Sequence, residues 1–335
     1  MKILIRTSGG RAPKKELGMG HIFRVLNLAG KLRKNKISFL IEDYGGIKHH
    51  FEKNNFKNIF IMKNNQSLDY DIKKTKKIID KINPDLIIVD KYKTKISYLK
   101  EMKKFGKVIY ISDLDYIDVP ADLVICGFIG FNNKKILNKY STKCILGPKY
   151  QILNKKFSEP STNKKNVDLL ATFGGFDENN LAEILLEELI NQKIRIKTKI
   201  ILGPSTKKSK KLQSMEKETK EFVKIVCETN NMANEISQAE YGLCSGGLTT
   251  YEFACKQVPF GIISQVKHQL KTAKIWERKK IGKNLGLANK NTPKKIREFL
   301  KIVVNKEDIF TKSKIVDGLG TQRISKEIQN IYKNF

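Results

Sequence analysis

The chain alternates between short apolar runs and stretches with an apolar residue every three or four positions. This is the pattern of strands and amphipathic helices wound around parallel sheets. In the first half the apolar runs predict strands at Lys2–Arg6, Ser38–Asp43, Ile59–Met62, Asp85–Asp90, Lys107–Ser112 and Leu123–Cys126. Between the first two, Ile22, Val25, Leu26, Ala29 and Leu32 share one helical face while Arg24, Lys31 and Arg33 fall elsewhere, so a helix begins near Gly20.

After Leu146-Gly147-Pro148 a polar stretch, Ser158 to Asn166, interrupts the pattern, and the same alternation then restarts. The second set of strands is predicted at Val167–Phe173, Lys197–Leu202, Val223–Cys227, Tyr241–Ser245, Phe260–Ile263 and Leu285–Leu287. Two doubly wound domains follow, at 1–150 and 166–318, with a closing helix at 319–335 that has an apolar face for either domain. The fold class is α/β, and no short repeat or heptad run accounts for the doubling.

Composition refines this picture in three places. A length of 335 residues with 40% hydrophobic content suits two ordinary domains. The opening segment has no signal-peptide pattern, and no window approaches the roughly eighteen apolar residues of a membrane span, so a cytoplasmic chain without stable membrane insertion is expected. The five cysteines form no C-x-x-C pair and no zinc-spaced cluster, so reduced, mostly buried thiols and no metal are expected. The formal charge of +31 invites a nucleic-acid partner, but lysine far outnumbers arginine and is dispersed over nearly every element. A solvated lysine surface, no nucleic-acid partner and a monomer are the expectations.

Open parallel sheets bind ligands outside the carboxyl ends of their strands, often where a glycine-rich turn enters a helix. Four stretches hold that position. Gly18-Met19-Gly20-His21 opens the first helix; its glycines admit a ligand to the backbone, and the helix dipole is expected to keep His21 neutral and able to accept a proton. Taken alone it equally fits a helix start without chemistry. Asp90-Lys91-Tyr92 ends the strand DLIIVD, where an acid either orients a sugar or water or caps a helix. Gly174-Gly175 in TFGGFDENN either wraps a phosphate or serves a turn, with Asp177 as a helix cap. CSGGLTTYEFACKQVPFG, Cys244 to Gly261, is the most informative: Ser245-Gly246-Gly247 ends a strand and a helix from Leu248 to Ala254 follows. Diphosphate fits on the N–H groups of that turn and Glu252 can accept from both ribose hydroxyls.

The motifs GMGHIFRVLNLA, IIVDKY, ISDLDYIDVPADLVI, ILGPKYQIL, LLATFGGFDENNLAE, SGGLTTYEFACKQVPFG and HQLKTA, in that order, resemble the nucleotide-sugar hydrolases of pseudaminic acid (nonulosonic acid) biosynthesis. That family is similar to the lipid-linked N-acetylglucosaminyltransferase of peptidoglycan synthesis. The resemblance covers most of the chain. It implies two Rossmann-like domains facing a cleft, the GT-B fold, with UDP on the second domain and sugar on the first. It also implies metal- and cofactor-independent removal of UDP from UDP-2,4-diacetamido-2,4,6-trideoxy-β-L-altropyranose by water attack at the anomeric carbon.

By the same resemblance His21 is the base and Asp90 and Tyr92 line the sugar site with it, while Gly18, Gly20 and Arg24 are further substrate-binding candidates. Gly174, Gly175, Ser245, Gly246, Gly247, Thr249, Glu252 and Gln269 contact the rest of the substrate, Glu252 at the ribose and Gln269 at sugar or phosphate. The chain departs from the family pattern near the sugar site: an insertion at Arg11–Glu16, Ser112-Asp113-Leu114 in place of Asp-Asp-Leu, Lys91 where His is commoner, and His268 where Asn often stands. The alternatives are a UDP-sugar-dependent glycosyltransferase of surface polysaccharide synthesis on the same fold, and a non-catalytic UDP-binding protein.

Overall fold

The computed structural model describes residues 1–12, 15–91, 93–114, 116–132, 135–160, 164–203, 206, 208–308 and 310–333, with backbone alone at 11, 12, 15–17 and 135. Two compact units emerge, one of residues 1–155 with 318–335, the other of 156–317.

The first unit runs β1 (Lys2–Ala12), β2 (Lys15–Gly18), α1 (Gly20–Lys31), β3 (Lys36–Asp43), α2 (Lys48–Lys53), β4 (Ile59–Lys63), α3 (Leu68–Ile82) and β5 (Leu86–Asp90). It continues through α4 (Ile96–Met102), β6 (Lys107–Ile111), β7 (Leu123–Cys126), β8 (Lys135–Leu137) and β9 (Lys143–Leu146). Its sheet has the order β4-β3-β1-β5-β6-β7-β9-β8, parallel except for β8 on β9, with β2 folded back antiparallel on the end of β1. The predicted strands are present, but β1 extends six residues past Arg6, and the insertion forms a hairpin with Gly10 opposite Gly18. The strands β8 and β9 were not anticipated, because each carries too short an apolar run to stand out.

Alternation along β1 sorts its side chains between two layers. Ile3 and Ile5 share a core with Ile22, Val25 and Ala29 of α1, each large aliphatic contributing roughly 1.5–3 kcal/mol by its burial. Gly9, farther along the same strand, has no room for a Cβ because Ile22 occupies that space, so the glycine lets α1 lie close over the strand end. On the other layer Arg6 is fully buried between Asp71 of α3 and Glu42 of β3.

The second unit follows as β10 (Val167–Thr172), α5 (Leu181–Asn191), β11 (Thr198–Leu202), α6 (Lys210–Thr219), β12 (Val223–Cys227), α7 (Met232–Ser237) and β13 (Ala239–Ser245). It ends with α8 (Thr249–Cys255), β14 (Phe260–Ser264), α9 (Gln269–Arg278), β15 (Gly282–Leu287) and α10 (Thr292–Val304). Its all-parallel sheet has the order β12-β11-β10-β13-β14-β15, the doubly wound arrangement with a switch point between β10 and β13. The last helix, α11 (Gly320–Lys333), returns to the first unit: Ile324 and Ile328 enter its core, Thr321 donates to the Leu153 carbonyl at 2.9 Å, and Lys143 pairs with Glu327 at 2.8 Å.

Candidate active site

The parallel register of β1 and β5 sets Thr7 beside Asp90, at the carboxyl edge of the first sheet. The start of α1, held near this edge by the space at Gly9, brings His21 and Arg24, one helical turn apart, to the Asp90 carboxylate. His21 Nδ1 lies 2.6 Å from Asp90 Oδ1. Arg24 grips the same carboxylate with Nε at 2.7 Å from Oδ2 and Nη2 at 2.5 Å from Oδ1. Its third nitrogen, Nη1, is 2.7 Å from Asp113 Oδ1, and the other oxygen of Asp113 lies 3.5 Å from His21 Nε2. Asp90 is fully buried and His21 nearly so, whereas the Asp113 side chain is 54% exposed.

Asp113 reaches this position because β6 ends two residues before it, at Ile111, and the chain turns sharply. The Ser112 hydroxyl lies within hydrogen-bond reach of the carbonyls of Asp113 (2.7 Å) and Tyr116 (2.5 Å), Leu114 takes a left-handed φ of 39°, and the Cys126 thiol donates to the Leu114 carbonyl. Serine at the place of a second aspartate therefore braces the turn that presents Asp113.

The helix N-terminus is not what governs the basicity of His21. Burial disfavours the imidazolium, as does Arg24, but Asp113 and Asp90 together outweigh them and hold the histidine above its ordinary value. A helix N-terminus is worth about 0.3–1 kcal/mol at an exposed site. Two carboxylates this close dominate it. Asp90 accepts from Nδ1–H, which in the neutral ring leaves Nε2 as the basic nitrogen.

Gly18 adopts a left-handed φ of 80°, and the space where a Cβ would project from Gly18 or Gly20 is open to 4 Å. Tyr92 lies outside the described residues. Lys91 turns to the opposite layer, where its ammonium meets Asp71 and stands 5.0 Å from the Tyr98 ring centroid. Burial and the neighbouring Arg6 push the lysine down, while Asp71 is held below its usual range because Arg6 and Lys91 overcome the burial that would raise it. Sequence reasoning missed this buried Arg6–Glu42–Asp71–Lys91 network, and it missed Asp113 as a partner of His21; the available signal was a pair of acids ending adjacent strands.

In the second unit the predicted glycine turns converge at one sheet edge. Gly174 has φ 78°, and a Cβ there would lie 3.3 Å from the Ser245 hydroxyl; a Cβ on Gly246 would lie 2.7 Å from Gln269 Cβ. Gly203, absent from the candidate set, packs against the Gly174 and Gly175 backbone so closely that no side chain fits. Gln265 ties the turn down, donating to the carbonyls of Phe173 (2.8 Å) and Phe176 (3.1 Å) and accepting from the Glu178 amide at 3.0 Å. Gln269 is itself engaged, its Oε1 accepting from the Gln265 amide at 2.8 Å.

Asp177 is the cap of α5, accepting from the amides of Leu181 and Ala182 at 2.7 Å each, although burial still pushes it up to about 6. Glu252 has no such role. Its half-buried carboxyl forms no hydrogen bond or ion pair among the described residues, and burial alone raises it to about 7. Thr249 begins α8 at the Gly246-Gly247 turn, and Thr250 fastens that turn by donating to the Gly247 carbonyl at 2.8 Å while accepting from the Trp276 indole at 3.0 Å.

Among the described residues no group of three or more His, Cys, Asp or Glu side chains could hold a metal ion, and no helix is long and apolar enough to cross a membrane.

No family model matches the sequence. The chain is 30% identical over 287 residues to the uncharacterized protein MJ1062 of Methanocaldococcus jannaschii, an alignment covering 79% of this chain and 56% of that protein, so the chain spans about half the length of this relative. It is 25% identical over 337 residues to the spore coat polysaccharide biosynthesis protein SpsG of Bacillus subtilis, covering 95% and 96% of the two chains. Among solved structures it superimposes on MurG of Acinetobacter baumannii with a TM-score of 0.61 at 15% identity, over 98% of this chain and all of that one. It matches the UDP-GlcNAc 2-epimerase of Neisseria meningitidis, solved bound to UDP-GlcNAc, with a TM-score of 0.60 at 12% identity over 98% and 100%. These likenesses establish the GT-B fold.

Proposed function

We propose that the protein is a UDP-sugar-processing enzyme of polysaccharide synthesis, and specifically a hydrolase that releases UDP from a UDP-diacetamido-trideoxyhexose on the route to a nonulosonic acid such as pseudaminic acid. The observation that carries this reading is the pairing of His21 with the buried Asp90, which leaves a basic nitrogen directed away from the carboxylate at the sheet edge. The relatives add support at a coarser level: SpsG is named for polysaccharide biosynthesis, and the epimerase structure holds a UDP-sugar.

In the proposed reaction His21 Nε2 takes a proton from water as the water oxygen bonds to the anomeric carbon. The bond from that carbon to the diphosphate oxygen breaks, and its electron pair leaves with UDP. Asp90 holds the ring and stabilises the imidazolium that forms, while Arg24 keeps Asp90 in place. On the nucleotide side the Ser245-Gly246-Gly247 turn and the first N–H groups of α8 receive the diphosphate as its charge grows. Glu252 accepts from the ribose hydroxyls, and Gly174, Gly175 and Gln269 contact the rest of the substrate. No metal is assigned to the reaction.

The test is an NMR time course of the purified protein with UDP-2,4-diacetamido-2,4,6-trideoxy-β-L-altropyranose and no acceptor. Equal amounts of free sugar and UDP are expected. Substrate that binds but stays intact until an acceptor is added would replace hydrolysis with glycosyl transfer, a reaction the MurG-like fold equally supports.

A further inference from the structure

The arrangement around His21 contains one more acceptor than a histidine base and its orienting acid require. Asp113 comes from the turn after β6, not from the helix or strand that carries His21 and Asp90. Arg24 Nη1 lies 2.7 Å from its Oδ1, and its Oδ2 faces His21 Nε2 at 3.5 Å. That separation is too long for a good direct hydrogen bond. It suits two acceptors that share a small donor with two hydrogens. A water oxygen at about 2.8 Å from each would sit at the apex of a triangle over Nε2 and Oδ2, and Asp113, 54% exposed, leaves it an open approach.

Resting on the hydrolase reading above, we infer that Asp113 is a second catalytic acceptor: His21 Nε2 and Asp113 Oδ2 together hold both hydrogens of the attacking water and turn its lone pair toward the anomeric carbon. One hydrogen transfers to Nε2 as the carbon–oxygen bond forms. The other stays on that oxygen as the product hydroxyl, hydrogen-bonded to Asp113, and the electron pair of the broken bond leaves with UDP. Arg24 is a positioning residue for both carboxylates, since its three nitrogens span Asp90 and Asp113.

This assignment gives Asp113 a signature that a brace of the turn would lack. The charged groups facing His21 are Asp90 from β5, Asp113 beyond β6 and Arg24 from its own helix; Tyr110 of β6 lies in the field of the same two carboxylates. Removing the charge of Asp113 leaves Asp90 and Arg24 in place, so the imidazole becomes less basic without losing its orientation.

The experiment compares wild type, Asp113→Asn and Asp113→Glu in two readouts: the pH profile of kcat for UDP release, and an NMR titration of the His21 ring in the ligand-free protein. Asp113→Asn is expected to lower the plateau kcat about tenfold to a hundredfold, to move both the acidic limb and the His21 titration to lower pH, and to leave UDP affinity within about twofold. Asp113→Glu, which keeps the charge on a longer stem, restores the position of the limb and part of the rate. A variant Asp113→Asn with wild-type kcat and an unmoved limb overturns the assignment. If the wild type releases no UDP, the hydrolase reading falls and the water step falls with it. The His21 titration still decides independently whether Asp113 acts on Nε2, and an unmoved titration in Asp113→Asn overturns that pairing whatever the enzyme's reaction.

Discussion

Arg24 and Asp90 form a two-pronged contact at the carboxyl edge of the first sheet, Nε to Oδ2 at 2.7 Å and Nη2 to Oδ1 at 2.5 Å, with Asp90 wholly buried. The fork fixes the carboxylate plane, and that plane fixes the imidazole of His21. Asp90→Asn keeps the shape but gives up the charge under both partners. We expect unfolding free energy to fall by about 3–5 kcal/mol, the range for breaking one side of a buried pair, and UDP release to be largely lost. Urea denaturation and the UDP-release assay check the two outcomes separately.

His21→Asn removes the basic nitrogen, while the glycine turns and Glu252 belong to the second unit. Turnover should drop by roughly 10²–10⁴, with UDP affinity by calorimetry unchanged. A variant that turns over at near-normal rate would remove His21 from the base role.

In the proposed site, Glu252 is expected to link nucleotide affinity to pH. Burial raises its carboxyl to about 7. The ionised form is the better acceptor for ribose hydroxyls, so uridine affinity should rise as pH climbs through 7, and Glu252→Gln should flatten the dependence. Uridine is the appropriate probe because it carries no titrating phosphate. The sign for stability is opposite: the folded state holds this proton more tightly than the unfolded chain, so the site costs stability as pH rises from the ordinary carboxyl value of 4.5 to about 7.

Asp71 behaves the other way. Burial alone would raise it, but Arg6 and Lys91 hold it below its ordinary value, so its contribution is fully present above 3.8 and is lost as pH falls below that through the folded value. Asp71→Asn leaves the fully buried Arg6 with Glu42 alone, and we expect a loss of about 3–5 kcal/mol at neutral pH. The difference from wild type should narrow in acid, as seen in denaturation curves taken between pH 7 and pH 3.

Gly246→Ala tests the nucleotide turn. The added methyl would stand 2.7 Å from Gln269 Cβ, an atom fixed by the helix start and not the end of a flexible side chain. Shifting α9 to admit it should cost about 1–3 kcal/mol and weaken UDP binding, both readable from thermal shifts with and without UDP.

What the sequence disclosed follows from range. Strands such as Val223–Cys227 and Leu123–Cys126 agree residue for residue because an apolar run, broken only by Lys224 in the first and unbroken in the second, needs no partner to be recognised. The His21 helix start and the Asp90 strand end were equally local, and the structure joins them at 2.6 Å. Asp113 comes 92 positions after His21 on a turn whose shape depends on Ser112, so nothing local announced its approach to Nε2. The basicity of His21 has the same origin: the helix dipole is visible in sequence, whereas the carboxylates that raise the histidine belong to two other elements. Arg6 looked like the end of a strand because a buried arginine breaks the apolar alternation; its partners Glu42 and Asp71 lie on β3 and α3. In the second unit the glycine turns could be read from spacing, while Gln265 and Gly203 act through backbone contacts that only the folded chain creates.

The central claim is water attack at the anomeric carbon, and the most direct measurement is turnover of the UDP-diacetamido-trideoxyhexose in ¹⁸O-labelled water, stopped early and read by mass spectrometry. The account predicts the heavy oxygen on the released sugar and none in UDP, with no label in either product for His21→Asn. Heavy oxygen in the UDP phosphate would mean attack at phosphorus, and would contradict it.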